Sequence, residues 1–179
     1  MKEIALYILD LCFNSIKAEA DNLYIEVVSD YENDILKVYI KDDGCGMEEE
    51  FVKKVTSPFV TTRKERRVGL GISFFKELTE LCDGRFDINS KKGIGTEITG
   101  FFKLSHIDLI PIGDMSSTIV SLIMSAPNVD IVFKYKTNKG EFIFDTKKIR
   151  KILKDVSLNN VEVLEWIKEF ISENMEVLK

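Results

Sequence analysis

The chain has 179 residues, 45% of them apolar and 31% charged, with 25 basic against 30 acidic side chains and a net charge of -5. That is the composition of one globular domain with at most a small extension, and it excludes collagen-like and low-complexity chains. No run of about 18 apolar residues is present to span a bilayer, and the acidic balance argues against nucleic acid as a partner.

The opening stretch MKEIALYILDLCFN carries Asp10 and Asn14 where a signal peptide needs an unbroken apolar core, so a cytoplasmic location without membrane attachment is expected. Cys12, Cys45 and Cys82 are odd in number and widely spaced, which suggests neither a metal knuckle nor a disulfide framework.

From Glu3 to Ala20 the apolar spacing predicts a helix buried on most sides, with Leu6, Leu9, Phe13, Ile16 and Ala20 in one row and Ile4, Ile8, Leu11, Ser15 and Ala18 beside it. One polar row interrupts it: Asp10, Asn14, Lys17 and Asp21, at spacings that put all four on one stripe. LYIEVVS (23–29) and ILKVYIK (35–41) read as an antiparallel strand pair, followed at once by the glycine loop DDGCGM. A short helix is expected over 48–55, then the aperiodic basic stretch SPFVTTRKERRVGLG, then a helix from about Ile72 to a stop near Gly84. RFDINS (85–90) and TEITGFFKL (96–104) form a second hairpin across KKGIG.

Beyond Leu104 the character changes. A short helix over 114–124, strands near 129–136 and 141–145 joined by TNKG, and two C-terminal helices make an α/β extension, 105–179, expected to pack against residues 1–104.

Each glycine loop alone could be an ordinary turn. Their order is more specific: an Asp and an Asn four apart on a helix stripe, Asp42-x-Gly44-x-Gly46 after a strand, a TT-containing loop ending in Gly69-x-Gly71 before a helix, and Gly93-x-Gly95-Thr96 before a strand. In this order the sequence resembles the ATP-binding domain of the GHKL superfamily, the Bergerat fold of DNA gyrase, heat-shock chaperone ATPases, sensor histidine kinases and mismatch-repair ATPases. LDLCFNSIKAEAD is similar to the N box, DDGCGM to the G1 box, SPFVTTRKERRVGLGI to the F and G2 boxes with the lid between them, and KKGIGT to the G3 box. The SPFVTTR wording and Lys17 resemble the sensor-kinase branch. The whole chain, including PIGDMSSTIVSLI, is similar to small stand-alone ATP-binding proteins that accompany iron-only hydrogenase subunits in anaerobic bacteria.

The resemblance implies a two-layer α/β sandwich over 1–104 with a small C-terminal α/β extension, and ATP and Mg²⁺ as ligands. It assigns Asn14 to Mg²⁺, a role a neutral amide can fill while the ion keeps waters and phosphate oxygens. It places Lys17 on a phosphate as a point charge, and Asp42 on the adenine amino group with Gly44 and Gly46 as bare backbone under the base. Gly69 and Gly71 fall at a helix N-terminus suited to phosphate, and Thr96 beside the adenine. Met47, Thr62, Arg63 and Leu70 complete the expected lining, Arg63 being the preferred lid contact among Arg63, Lys64, Arg66 and Arg67. Asp10 stands where hydrolysing members carry a Glu that polarises water; it is one methylene shorter, so nucleotide binding is the firmer expectation than hydrolysis.

The N-box helix starts within the first few residues, which leaves no phospho-accepting helical domain ahead of it in this sequence. His106, the sole histidine, is therefore expected to be a structural or surface residue, and self-phosphorylation is not expected. Cys45 reads as a small filler in its loop, with a thiol sensor as the alternative. Three uses of ATP remain open: a regulatory module signalling nucleotide or redox status to a partner such as a hydrogenase component, a phosphotransferase acting on a partner protein, and a slow ATPase whose lid closure drives assembly or homodimerisation.

Overall fold

The computed structural model describes residues 1–56, 70–154 and 156–179. Thr62, Arg63 and Gly69, together with Lys64, Arg66, Arg67 and the side chain of Leu70, lie outside the described residues.

Helix α1 (Ile4–Lys17) buries Ile4, Ala5, Ile8, Leu11, Cys12 and Ser15, a row at helical spacing with no Gly or Pro to interrupt it. It stops three residues short of the expected Ala20. Glu19 turns left-handed at φ 59 and the Ala20 N–H returns to the Ser15 carbonyl at 3.2 Å, so Asp21 leaves the polar stripe that its spacing suggested.

Strands β1 (Asn22–Asp30) and β2 (Ile35–Asp42) pair antiparallel from Leu23↔Asp42 to Asp30↔Ile35. Helices α2 (Glu49–Val55) and α3 (Leu70–Leu81) precede the hairpin of β3 (Arg85–Lys91) and β4 (Gly95–Lys103), and β4 pairs antiparallel with β2. After α4 (Met115–Ser125), β5 (Asp130–Thr137) lies parallel to β1 and pairs with β6 (Gly140–Asp145); α5 (Thr146–Leu153) and α6 (Val161–Val177) close the chain.

The result is one mixed six-stranded sheet in the order β3-β4-β2-β1-β5-β6. The C-terminal strands extend the same sheet rather than forming one of their own. Burial alternates along β1, β2, β5 and β6, so one sheet face carries Ile25, Val27, Val38, Ile40, Phe133 and Phe144 into a core shared with α1, α3, α4 and α6. The opposite face is a charged, aromatic surface, with Lys37 and Lys134 paired to Glu26 and Tyr24 edge-on to Tyr39. No helix among the described residues is long and apolar enough to cross a membrane.

Candidate functional site

Asp42, the last residue of β2, is 7% exposed and anchors one end of the sheet. Its Oδ1 accepts the Gly44 N–H at 3.0 Å and the Thr96 N–H at 3.2 Å, and its Oδ2 accepts the Ser15 hydroxyl of α1 at 2.5 Å. A carboxylate offers about four acceptor positions, so among the described residues three are filled and one on Oδ2 remains.

The DDGCGM loop is stitched down on both sides. The Cys45 N–H donates to the Ala18 carbonyl at 2.8 Å and the Gly93 N–H to the Cys45 carbonyl at 2.7 Å. Gly44 is needed because a Cβ there would meet the Ala18 carbonyl at 2.7 Å, and Gly46 because it sits at φ +62 with the Lys91 carbonyl where its Cβ would be.

Ser90, on β3, ties the loop to the following turn: its hydroxyl accepts the Met47 N–H at 2.9 Å and donates to the Gly95 carbonyl at 3.0 Å. With that proton spent, Thr96 Oγ1, 2.8 Å away, is left as donor to Ser90. Asp43 points the other way and accepts from the Asp21 N–H and from both nitrogens of Asn22. Burial raises its pKa, but these hydrogen bonds outweigh that and hold the carboxyl below its ordinary range.

Asp10 and Asn14 lie half-buried on α1 with Lys17 exposed one turn on, and none of the three side chains is hydrogen-bonded or ion-paired among the described residues. A Cβ on Gly71, at the start of α3, would land on Asp10 Oδ2, so the second glycine of GLG and the Asp10 carboxylate are neighbours. Below the site, the Cys12 thiol is pushed well above its ordinary pKa, first by burial and then by Asp42, which makes it inert.

The structure therefore gathers Asp10, Asn14, Lys17, Asp42, Gly44, Gly46, Met47, Gly71 and Thr96 at one end of the sheet. A cleft of about 540 Å³ opens on the outer side of the DDGCGM loop, lined by Cys45, Gly46, Met47, Glu48, Phe51, Lys92 and Gly93; of the gathered residues it takes in Gly46 and Met47 alone. His106 lies at the opposite end of the sheet, its Nε2 3.7 Å from Asp83 Oδ2, near where β4 ends. Sequence reasoning missed Ser15, Ser90 and Asp43. Ser15 sat in an apolar helix row and Ser90 in a strand, so only the fold shows that both face the loop; Asp43, the second Asp of DDGCGM, carried a signal that went unused.

Residues 2–106 match the family described as histidine kinase-, DNA gyrase B- and HSP90-like ATPase. The chain belongs to this family. Among its relatives are sensor histidine kinase YvrG of Bacillus subtilis, 32% identical over 98 residues that cover 52% of this chain and 17% of that protein, and sporulation kinase E of the same organism, 32% identical over 98 residues covering 54% and 13%. The matched stretch thus spans less than a fifth of each kinase. Among solved structures, the Aquifex aeolicus MutL ATPase domain complexed with ADP superposes with a TM-score of 0.56 at 13% identity, over 86% of this chain and 70% of that one. At that identity the likeness is one of fold, and at 86% of the chain it extends beyond the family's segment of 2–106.

Proposed function

We propose that this family member binds Mg-ATP between α1, the DDGCGM loop and the start of α3, and that it acts as a regulatory ATP-binding protein or a kinase toward a partner protein in the cytoplasm. The observation that carries the reading is the single open acceptor on buried Asp42. A base bearing an exocyclic amino group can fill it, whereas a carbonyl in the same place, as in guanine, would meet a second acceptor. Thr96 and the bare backbone of Gly44 and Gly46 border that position.

Asn14, Lys17 and Asp10 are of the residue types that fit a metal-bound polyphosphate: an amide oxygen for Mg²⁺, an ammonium for phosphate, and a carboxylate to orient metal-bound water. Mg²⁺ would supply neutralisation of phosphate charge. The protein's own part is to fix the base through Asp42, present Asn14 and Asp10 on one helix face, and bring the Gly71 end of α3 to the same place, where Gly69, Arg63 and Thr62 would join.

The test is calorimetric titration of Mg-ATP and Mg-GTP into wild type and Asp42→Asn. ATP is expected to bind and GTP not, and the variant to lose roughly 10- to 100-fold, the value of a hydrogen bond to a charged group. Equal binding of both nucleotides, or an unaffected variant, would overturn the adenine assignment. A γ-labelled ATP assay on the same samples separates the roles: label on an added partner marks a kinase, and neither product marks a sensor. A slow ATPase is the second reading, favoured by the Asp10 carboxylate beside Gly71; it requires steady phosphate release that Asp10→Ala abolishes.

A further inference from the structure

Strand β6 is one edge of the sheet, and nothing among the described residues covers its outer side. Helix α5 leaves the strand and turns inward: Lys147 Nζ reaches Asn22 Oδ1 at 2.8 Å at the start of β1, and Arg150 pairs with Asp130 at the start of β5. The register Thr137↔Gly140, Lys136↔Glu141, Tyr135↔Phe142 follows a two-residue turn. In such a hairpin the hydrogen-bonded and open positions alternate, which turns the N–H and C=O groups of Glu141 and Ile143 outward.

An aromatic ladder rises beside this open edge: Phe142 on β6 lies edge-on to Phe170 of α6 at 5.5 Å, and Trp166 stacks on Phe170 at 5.0 Å. Trp166 is 45% exposed, Ile143 49% and Val177 77%. A free edge strand of six residues flanked by exposed apolar groups can template pairing.

We infer that this edge pairs antiparallel with β6 of a second copy of the chain, about a two-fold axis through Phe142. Charge and face choose the register. Pairing must keep like faces together, so only shifts of two residues are allowed. Centring on Ile143 would set Glu141 against Asp145 of the second copy, and centring on Glu141 would set Glu141 against itself. Centring on Phe142 sets Glu141 against Ile143 and Lys139 against Asp145, with both of the latter pairs attractive, and Glu141 already neutralised by Lys134 at 2.9 Å.

Because Phe170 of α6 packs on Phe142, the same axis turns the two α6 helices towards each other alongside the joined strands. If Phe170 meets Phe170 there, the stripe matches itself: Val163 faces Val177 and Trp166 faces Asn174, with no carboxylate pair at the seam. The contact is isologous, as a two-fold requires, and joins the sheets of the two copies into one of twelve strands.

Sedimentation equilibrium of the full chain should return twice the chain mass. Lys139→Glu, which turns both attractive pairs repulsive, should weaken the dimer by roughly tenfold or more. Trp166→Glu, on an exposed site, should give monomer with its circular dichroism unchanged. Hydrogen exchange at the amides of Glu141 and Ile143 should slow as protein concentration rises. A wild type that stays monomeric at every attainable concentration overturns the inference. So does a dimer that survives both variants, or one in which those two amides remain unprotected, as docking through another surface would leave them.

Discussion

The two ends of α1 are used in opposite ways. At its start the backbone is bolted to the C-terminal segment: the Ile4 and Ala5 N–H groups donate to the Pro111 and Ile112 carbonyls at 3.0 and 2.8 Å, and Glu3 accepts the Asp114 N–H at 3.3 Å. These bonds satisfy donors that a helix N-terminus otherwise leaves open. Towards its other end the same helix presents Asp10, Asn14 and Lys17 with no partner among the described residues. A helix fixed at one end by the segment after Leu104 can hold the side chains of the proposed site steady at the other, so residues beyond the family's matched region brace the helix that presents them.

That contrast between anchoring groups and presenting groups can be tested by substitution. Gly46→Ala should cost the most, about 3 kcal/mol in denaturant unfolding, because the residue sits at φ +62 and the obstacle is the Lys91 carbonyl, backbone that cannot swing aside. A loss under about 1 kcal/mol would mean the loop is not stitched as described.

Arg150→Ala is expected next, at about 2 kcal/mol. It removes the pair with Asp130 and the bonds to the Pro127 and Val129 carbonyls, while Lys147 at 3.1 Å still covers Asp130.

Asp114→Ala should cost about 1 kcal/mol as a lost helix cap, its carboxylate accepting from the Ser117 N–H at 2.8 Å and from the Ser116 and Ser117 hydroxyls. Partial burial raises the Asp114 pKa, but those bonds, helped by Lys168, bring it down to about 2 from 3.8. A depressed carboxyl stabilises the fold above its unfolded pKa, and the benefit fades as pH falls through the folded value. The gap in melting temperature between wild type and Asp114→Ala should therefore be full near neutrality and close between about pH 4 and 2. A gap that stays constant down to pH 2 would show that the charged form contributes nothing.

Much of this arrangement was legible in the sequence, because the informative residues are local. The 3.6-residue rows of α1, the alternation in LYIEVVS and ILKVYIK, and the glycine spacings each fall within a single element or turn. What stayed hidden depends on pairing between distant segments. Nothing in VDIVFKYK says that β5 lies parallel to β1 with Leu23 opposite Ile131, since both flanks of a buried strand read alike. Ser15 looked like filler in an apolar row, and its hydroxyl gains meaning only when β2 ends beneath it at Asp42. Asp21 was misplaced because the left-handed turn at Glu19 carries no glycine to announce it.

Gly71→Ala should have the smallest effect on stability and the sharpest on the ligand. Its Cβ would land on Asp10 Oδ2, and the next atoms it would approach, Asp10 Cγ at 3.0 Å and Cβ at 3.7 Å, belong to the same side chain. A carboxylate end can rotate away, and alanine is a better helix residue than glycine, so unfolding free energy should change by less than about 0.5 kcal/mol. The carboxylate would then no longer sit where α1 and α3 converge. Calorimetry should show Mg-ATP binding weakened in this variant, and any phosphate release slowed, against an unchanged melting temperature. If Asp10 serves no ligand, the variant would bind as wild type does, and α1 would present Asn14 and Lys17 without it.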